Sequence, residues 1–217
     1  MTWSKDASRD FWCRLVGSAA GVIYRGACHG HPGCVNEHRE AGLAGFLRRR
    51  GKHERAAFQL YSSAVAAARD PHLYAALGVP DTLDGRFDAI VLYVYLVVRR
   101  LTTEPDMAQA VFDAMFLDMD INLREMGVGD LSVGRRNKAM WEAFHGRSAA
   151  YAAVWDDPAG LAAALGRNIW RGAGVPAGSA DALGRIALAQ AACLAEQPMT
   201  GLMAGNVRFL PAEEAAR

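Results

Sequence analysis

No stretch of this 217-residue chain reaches the run of about 18 to 20 apolar residues that a membrane-crossing helix needs. The longest apolar run, Ala89 to Val98, is bounded by Asp88 and Arg99, so a buried element of a globular core fits it better than a bilayer span. Charge of one sign is equally scarce. Lys and Arg number 24 against 23 Asp and Glu, a formal net charge of +1, which removes the field a nucleic-acid binder relies on, and no DNA partner is expected. Cysteine is sparse and badly placed for a stapled scaffold: of four, three fall within the first 34 residues and only Cys193 lies in the patterned part. A secretory leader is not expected either, because Asp6 and Asp10 precede the moderately apolar Leu15 to Tyr24, and Arg25 spoils the lipoprotein-like Arg25-Gly26-Ala27-Cys28. The expected location is therefore the cytoplasm. Catalytic patterns are absent as well. Neither a Ser/His/Asp nor a Cys/His arrangement stands out, and no Gly-rich phosphate loop follows a strand, so no enzyme activity and no cofactor are expected.

What the chain does have is helical patterning. Hydrophobic residues make up 52% and charged residues 22%, ample for a core. The character changes near residue 45. Residues 1–44 read as a poorly ordered extension, or as sequence upstream of the true start. Residues 45–211 read as one compact all-α, multi-helix domain, and 212–217 as a tail. A first helix is predicted from about Lys52 to Arg69, with Ala57, Leu60, Tyr61, Ala64, Val65 and Ala68 as its apolar stripe. Asp70-Pro71 ends it. A short turn spans His72 to Leu77, and a loop runs from Gly78 to Arg86. Phe87 to Leu101 is apolar on all sides and β-branched enough for a strand, but its length favours a central helix. Pro105 opens a helix with Thr103 as cap, and its stripe includes Val111, Phe112, Met115, Phe116, Met119, Leu123 and Met126 before Gly127 stops it. Ser132 is the expected cap of the next helix, which reaches Trp155. Asp157-Pro158 opens another ending near Trp170, and Ser179 starts the last, to about Glu196. Met199 to Leu210 is expected to be extended and packed over the bundle.

The central segment carries a resemblance. Leu73-Tyr74-Ala75-Ala76-Leu77-Gly78-Val79-Pro80-Asp81-Thr82-Leu83-Asp84-Gly85-Arg86-Phe87-Asp88 is one signature. Phe112-Asp113-Ala114-Met115-Phe116, Asp118-Met119-Asp120 and Asn122 to Asp130 are the second, continued by Gly134, Phe144 and Gly146-Arg147. Together they resemble the ubiquinol–cytochrome c chaperone family over roughly residues 46 to 211. The resemblance implies an all-helical assembly factor for the respiratory bc1 complex that handles newly made cytochrome b, or another bc1 assembly component, and is not an enzyme. In mitochondrial relatives the site of action is near the ribosomal exit. This chain departs from the pattern in its long N-terminal extension and at Tyr93 and His145, where His and Tyr respectively are expected.

Several clusters are candidates for contact or chemistry. Asp81, Asp84, Gly85, Arg86 and Asp88 surround a loop, where Asp can bond nearby amides and Gly can relax the backbone, or where the client can dock. Asp113, Asp118, Asp120 and Glu125 form an acidic group on the strongest helix. Asp113 and Asp120 should share a face, and Arg124, four beyond Asp120, predicts a helical ion pair rather than acid/base work. Asp130 closes that series. Phe46, Arg48, Arg49, Arg50 and Lys52 form an apolar and basic lead-in suited to an anionic membrane surface, such as the cytoplasmic face of the inner membrane, or to a ribosome, where the alternative to a client-holding chaperone is a non-catalytic adaptor that docks an assembly partner. Cys28, His29, His31, Cys34 and His38 have metal-ligand chemistry but the spacing of no common zinc finger, and Glu142-x-x-His145 is only half of a di-iron motif, so no metal site is expected. The flexible Met and aromatic side chains of the helical stripes suit a groove for apolar client segments, although such stripes also build cores.

Overall fold

The run from Phe87 to Leu101 is the axis of the molecule. A computed structural model describes residues 39–217 other than 172–173, and side chains from His53 onward other than that of Leu131. In chain order the elements are α1 (Arg39–Ala68), α2 (Pro71–Ala75), α3 (Leu83–Arg100), α4 (Pro105–Glu125), α5 (Asp130–Ala153), α6 (Pro158–Ile169), α7 (Ser179–Glu196), α8 (Met199–Met203) and α9 (Ala212–Ala215). No strand occurs among the described residues. Helix α3 packs against α1, α4, α5, α6 and α7. Every side chain from Val91 to Val98 is buried. A helix apolar all round must be enclosed, and enclosure outweighs the weak helix propensity of its valines.

The ends of α3 are fixed by local chemistry. Thr82 Oγ1 accepts the Gly85 amide at 3.1 Å, and Asp84 sits in the first turn. Gly85 is required by space and not by an unusual backbone angle, contrary to the turn role expected of it. A Cβ there would lie 2.1 Å from the Pro80 carbonyl oxygen. The loop also ends earlier than expected, at Thr82, which places Asp84 to Asp88 on the helix.

Other helix starts differ from the sequence reading. α4 is entered from Glu104 and α5 from Gly129, neither with a side-chain cap, so Thr103 and Ser132 do not cap them. Helix α1 extends back to Arg39, across the expected boundary near residue 45. Gly127 ends α4 at φ +77°, with the Val128 amide returning to the Leu123 carbonyl at 3.1 Å. Helices α6 and α7 approach through small residues. Gly184 meets Ala162 and Gly166 meets Ala180, a pairing order that makes them antiparallel.

After the short α8, an extended segment crosses α7 and is held by two glutamines. Gln197 exchanges two hydrogen bonds with the Arg208 backbone, both 2.8 Å, and Gln190 exchanges two with Leu210, 2.7 and 2.9 Å. The glutamines are two helical turns apart and serve alternate residues of the strap, as a neighbouring β-strand would. Residues 212–217 continue the packing: Ala212 is fully buried, and its amide donates to Asp70 Oδ2 at 2.8 Å. The expected Met199–Leu210 extended segment is thus a helical turn followed by a strap.

Candidate functional site

Helix α4 touches both α1 and α5 and leaves a trough beside α3. The trough is a groove of about 530 Å³. Its floor is Met119, Asn122, Leu123 and Met126 of α4. One bank is Arg136, Ala139, Met140 and Ala143 of α5, and Arg69, just past α1, lies on the other. The first turns of α3 supply Leu83, Arg86, Phe87 and Ile90 at the end. Two large apolar side chains stand open to water there, Leu83 at 63% and Met126 at 53% exposure. The stripe on α4 therefore serves two surfaces. Met115 and Val111 are fully buried in the core, Phe116 packs on Phe112, and Met119 and Met126 turn to the groove. Three methionines around one trough make a polarizable, adaptable lining that can re-pack about different apolar shapes.

Behind the groove lies a charge network. Asp88 is fully buried, with Arg171 Nε at 2.5 Å from Oδ2 and the Arg171 and Arg147 terminal nitrogens each 2.8 Å from Oδ1. Burial raises the Asp88 carboxyl pKa, while the hydrogen bond from Arg171 and the charges of both guanidiniums oppose that rise. Arg147 is only 10% exposed and lies over the Phe87 ring. Arg171 reaches on to Asp84 at 3.4 Å and faces the groove, held at an unusual φ of +39° for a residue with a side chain. The network joins α3, α5 and the end of α6. It also corrects the expectation that Asp88 is a surface contact: its charge sits under the groove and reaches it only through Arg171.

The other expected residues are spread around this centre. Asp81 and Arg86 form an exposed ion pair at 2.5 Å, and the Arg86 hydrogen bond holds the Asp81 carboxyl below the usual range. Asp118 lines the groove and accepts the Tyr61 hydroxyl at 2.6 Å. Burial, with Asp118 beside it, drives that hydroxyl's pKa far up. Arg124 binds Asp120 at 2.7 Å, the helical pair the spacing predicts, and also Asp130, while Asn137 of α5 donates to Asp120 at 2.9 Å. Asp113 accepts from Gln109 instead. Asp113 and Asp120 are two turns, about 10.5 Å, apart along the axis and do not form a pair. Glu125 is exposed. Side chains of Phe46, Arg48, Arg49, Arg50 and Lys52, and the Cys28–His38 cluster, lie outside the described residues.

Sequence reasoning missed Arg69, Arg136, Met140 and Arg171 as groove residues. Of the two guanidiniums on Asp88, Arg147 lies within the family-like motifs and Arg171 does not. Glu142 pairs with Lys138 at 3.8 Å, and His145 packs against Trp141 with centroids 3.9 Å apart and the rings tilted by 51°. Burial takes the His145 imidazole pKa down to about 4. Among the described residues, no three His, Cys, Asp or Glu side chains converge as metal ligands would. Nor is any helix there long and apolar enough to cross a membrane.

Comparison with known proteins agrees with this architecture. The profile of the family described as ubiquinol–cytochrome C chaperone matches residues 75–209, which takes in α3 to α8 and most of the groove. The crystal structure of the Cbp3 homolog from Brucella abortus superposes with a TM-score of 0.68 at 36% identity, covering 79% of this chain and 98% of that one. No curated protein matches the chain. The family profile and the solved relative overlap on the same helical unit that holds the methionine-lined groove, and this chain belongs to the ubiquinol–cytochrome c chaperone family.

Proposed function

We propose that this protein holds newly made cytochrome b during assembly of the bc1 complex, and that the groove between α3, α4 and α5 is where apolar client segments rest. Family membership supports the chaperone role and implies a non-catalytic protein. The observation that carries the reading of the groove is its lining. Leu83 and Met126 are left open to water beside Met119 and Met140, although the apolar run Phe87 to Val98 of α3 is enclosed. Exposed apolar side chains gathered in one concavity mark a binding surface. Asp81, Asp84, Gly85, Arg86, Asp113, Asp118, Asp120, Arg124, Glu125 and Asp130 then act at the rim or as its supports, and Asp88 supports it from beneath. Attachment to the inner membrane's cytoplasmic face or to a ribosome is assigned to Phe46, Arg48, Arg49, Arg50 and Lys52. Binding to anionic vesicles that survives Arg48–Arg50→Ser would reject the lipid arm.

The test is photo-crosslinking in cells from a probe placed at Met126, compared with one at exposed Glu213 on the far C-terminal segment. Adducts with newly made cytochrome b from Met126, and not from Glu213, are expected. Adducts with another bc1 assembly component alone would turn the reading toward an adaptor. No adduct with either would refute it.

A further inference from the structure

The groove's charge is uneven in a way that specifies its occupant. Arg86 is engaged by Asp81, and Arg171 by Asp88 and Asp84. Asp118, the remaining carboxylate of the lining, accepts the neutral Tyr61 hydroxyl and keeps its charge, so the lining holds four guanidiniums and two carboxylates. Among the described residues this leaves Arg69 and Arg136 as the lining cations without an ion pair, and both are exposed. They come from elements on either side of α4: Arg69 from the end of α1, Arg136 from α5. Between them runs the apolar floor of Met119, Leu123 and Met126.

We propose that the groove selects an amphipathic helical segment whose apolar stripe is bordered on both sides by carboxylates. A helix with side chains is about 10 to 12 Å across, so one apolar ridge can sit on the methionine floor while residues flanking it reach both banks. Carboxylates at those flanks meet Arg69 and Arg136 with bidentate geometry. Lysine or arginine there meets two guanidiniums that are in no ion pair, and that repulsion rejects the wrong segment. This assignment rests on the groove being the client site of the proposed chaperone. It adds a rule for which part of a membrane protein the groove accepts: the acid-bordered amphipathic segment, in preference to a uniformly apolar span or a basic loop.

The experiment uses the full chain and two fluorescein-labelled helical peptides with identical leucine stripes, one flanked by Glu and one by Lys, read by anisotropy. Wild type is expected to bind the Glu peptide at least about tenfold more tightly than the Lys peptide, with the difference shrinking at high salt. Arg69→Glu/Arg136→Glu, at exposed positions and checked for native circular dichroism, should reverse the preference. Arg69→Gln/Arg136→Gln should erase it. Equal binding of both peptides by wild type, or an unchanged preference in the Glu variant, overturns the proposal. So does Arg69- and Arg136-dependent binding to phosphatidylglycerol vesicles without binding of either peptide, which would make the site a lipid surface. Crosslinking of cytochrome b from Met126 separates the two levels. Capture retained by both wild type and the Glu variant, with no peptide preference, keeps the chaperone reading and sinks the charge rule. A wild type that prefers the Glu peptide but never captures cytochrome b keeps the rule and sinks that client.

Discussion

Replacing Asp88 with Asn strips the charge from the centre of a buried network and leaves two guanidiniums facing each other. Arg171, at 38% exposure, can turn toward water or toward Asp84, 3.4 Å away. Arg147, at 10% exposure, cannot. The cost is therefore dominated by one uncompensated buried cation, and breaking a buried pair from one side costs about 3–5 kcal/mol. For a chain of this size each kcal/mol moves the Tm by roughly 2–4 °C, so Asp88→Asn should melt roughly 6–20 °C below wild type. Arg171→Met should cost less, about 1–3 kcal/mol, because Asp88 keeps Arg147 at 2.8 Å.

The sharper result comes from removing both sides. Asp88→Asn/Arg147→Met eliminates the stranded charge together with its partner, so the double variant should be more stable than Asp88→Asn alone, with a coupling of about 1–3 kcal/mol. Urea unfolding followed by far-UV circular dichroism gives all four corners of the cycle. A double variant as unstable as the sum of the singles would refute the argument, since the cost would then lie in packing around α3 and not in the unpaired cation. An Asp88→Asn variant melting within a degree or two of wild type would refute it more directly.

Three further outcomes follow from particular side chains. Met126→Glu, read with the crosslinking probe moved to groove-lining Leu83, should reduce cytochrome b crosslinking by about tenfold or more while shifting the Tm by no more than a few degrees, because Met126 is 53% exposed; a large loss of stability with normal capture would place Met126 in the core instead. His145 carries a pKa lowered by burial to about 4 from the ordinary histidine value of 6.5. The unfolded chain thus takes up the proton first, stability falls as pH drops from about 6.5 toward 4, and the penalty stops growing below that. Allowing for the ring's partial exposure, the loss is about 1 kcal/mol; His145→Phe should flatten the pH 4–6.5 limb measured by urea midpoint, and an unchanged limb would assign it elsewhere. Gln190→Leu removes both partners of the Leu210 backbone and should cost about 2–3 kcal/mol with faster proteolysis after Arg208; an unaltered cleavage rate would mean the strap is held by Phe209 against Tyr93 instead.

Helix positions were legible wherever hydrophobic period and chain punctuation agreed. Pro105, Pro158, Ser179 and Gly127 mark ends that the structure keeps. The capping assignments failed because these two helices start without any side-chain cap, α4 entered one residue after Thr103 and α5 three residues before Ser132, so a good capping residue nearby did not mark the start. Asp88 was misread for a different reason. Its neighbours Asp84, Gly85 and Arg86 look like a turn, whereas its partner Arg171 is 83 residues away and leaves no spacing to detect. A signal was nevertheless present: Asp88 opens the run Ala89 to Val98 that is apolar on every face, and a charge that begins a wholly enclosed helix needs a buried countercharge. The groove was half legible. Its methionines were visible as a stripe, but Met115 and Met119 are one turn apart on the same helix, and only the position of α5 decides that one is interior and the other is wet.

That division explains how a rigid protein can carry an adaptable site. Helix α3 is locked by packing along its apolar run and by the Asp88 network, so the Leu83 and Phe87 end of the groove keeps its place while the floor and bank include methionines, whose unbranched side chains adapt most readily. Arg171 ties the two together, since the same guanidinium that neutralises Asp88 forms part of the lining. A client carboxylate approaching Arg171 would compete with Asp84 at 3.4 Å, the exposed and longer contact, before it could compete with Asp88. Binding can therefore draw on the outer half of the Arg171 fork without undoing the inner half. Asp84→Ala should then leave stability within about 0.5 kcal/mol, as for other exposed pairs, while strengthening capture of a Glu-flanked peptide. Weaker capture in that variant would show instead that Asp84 holds Arg171 in its binding pose.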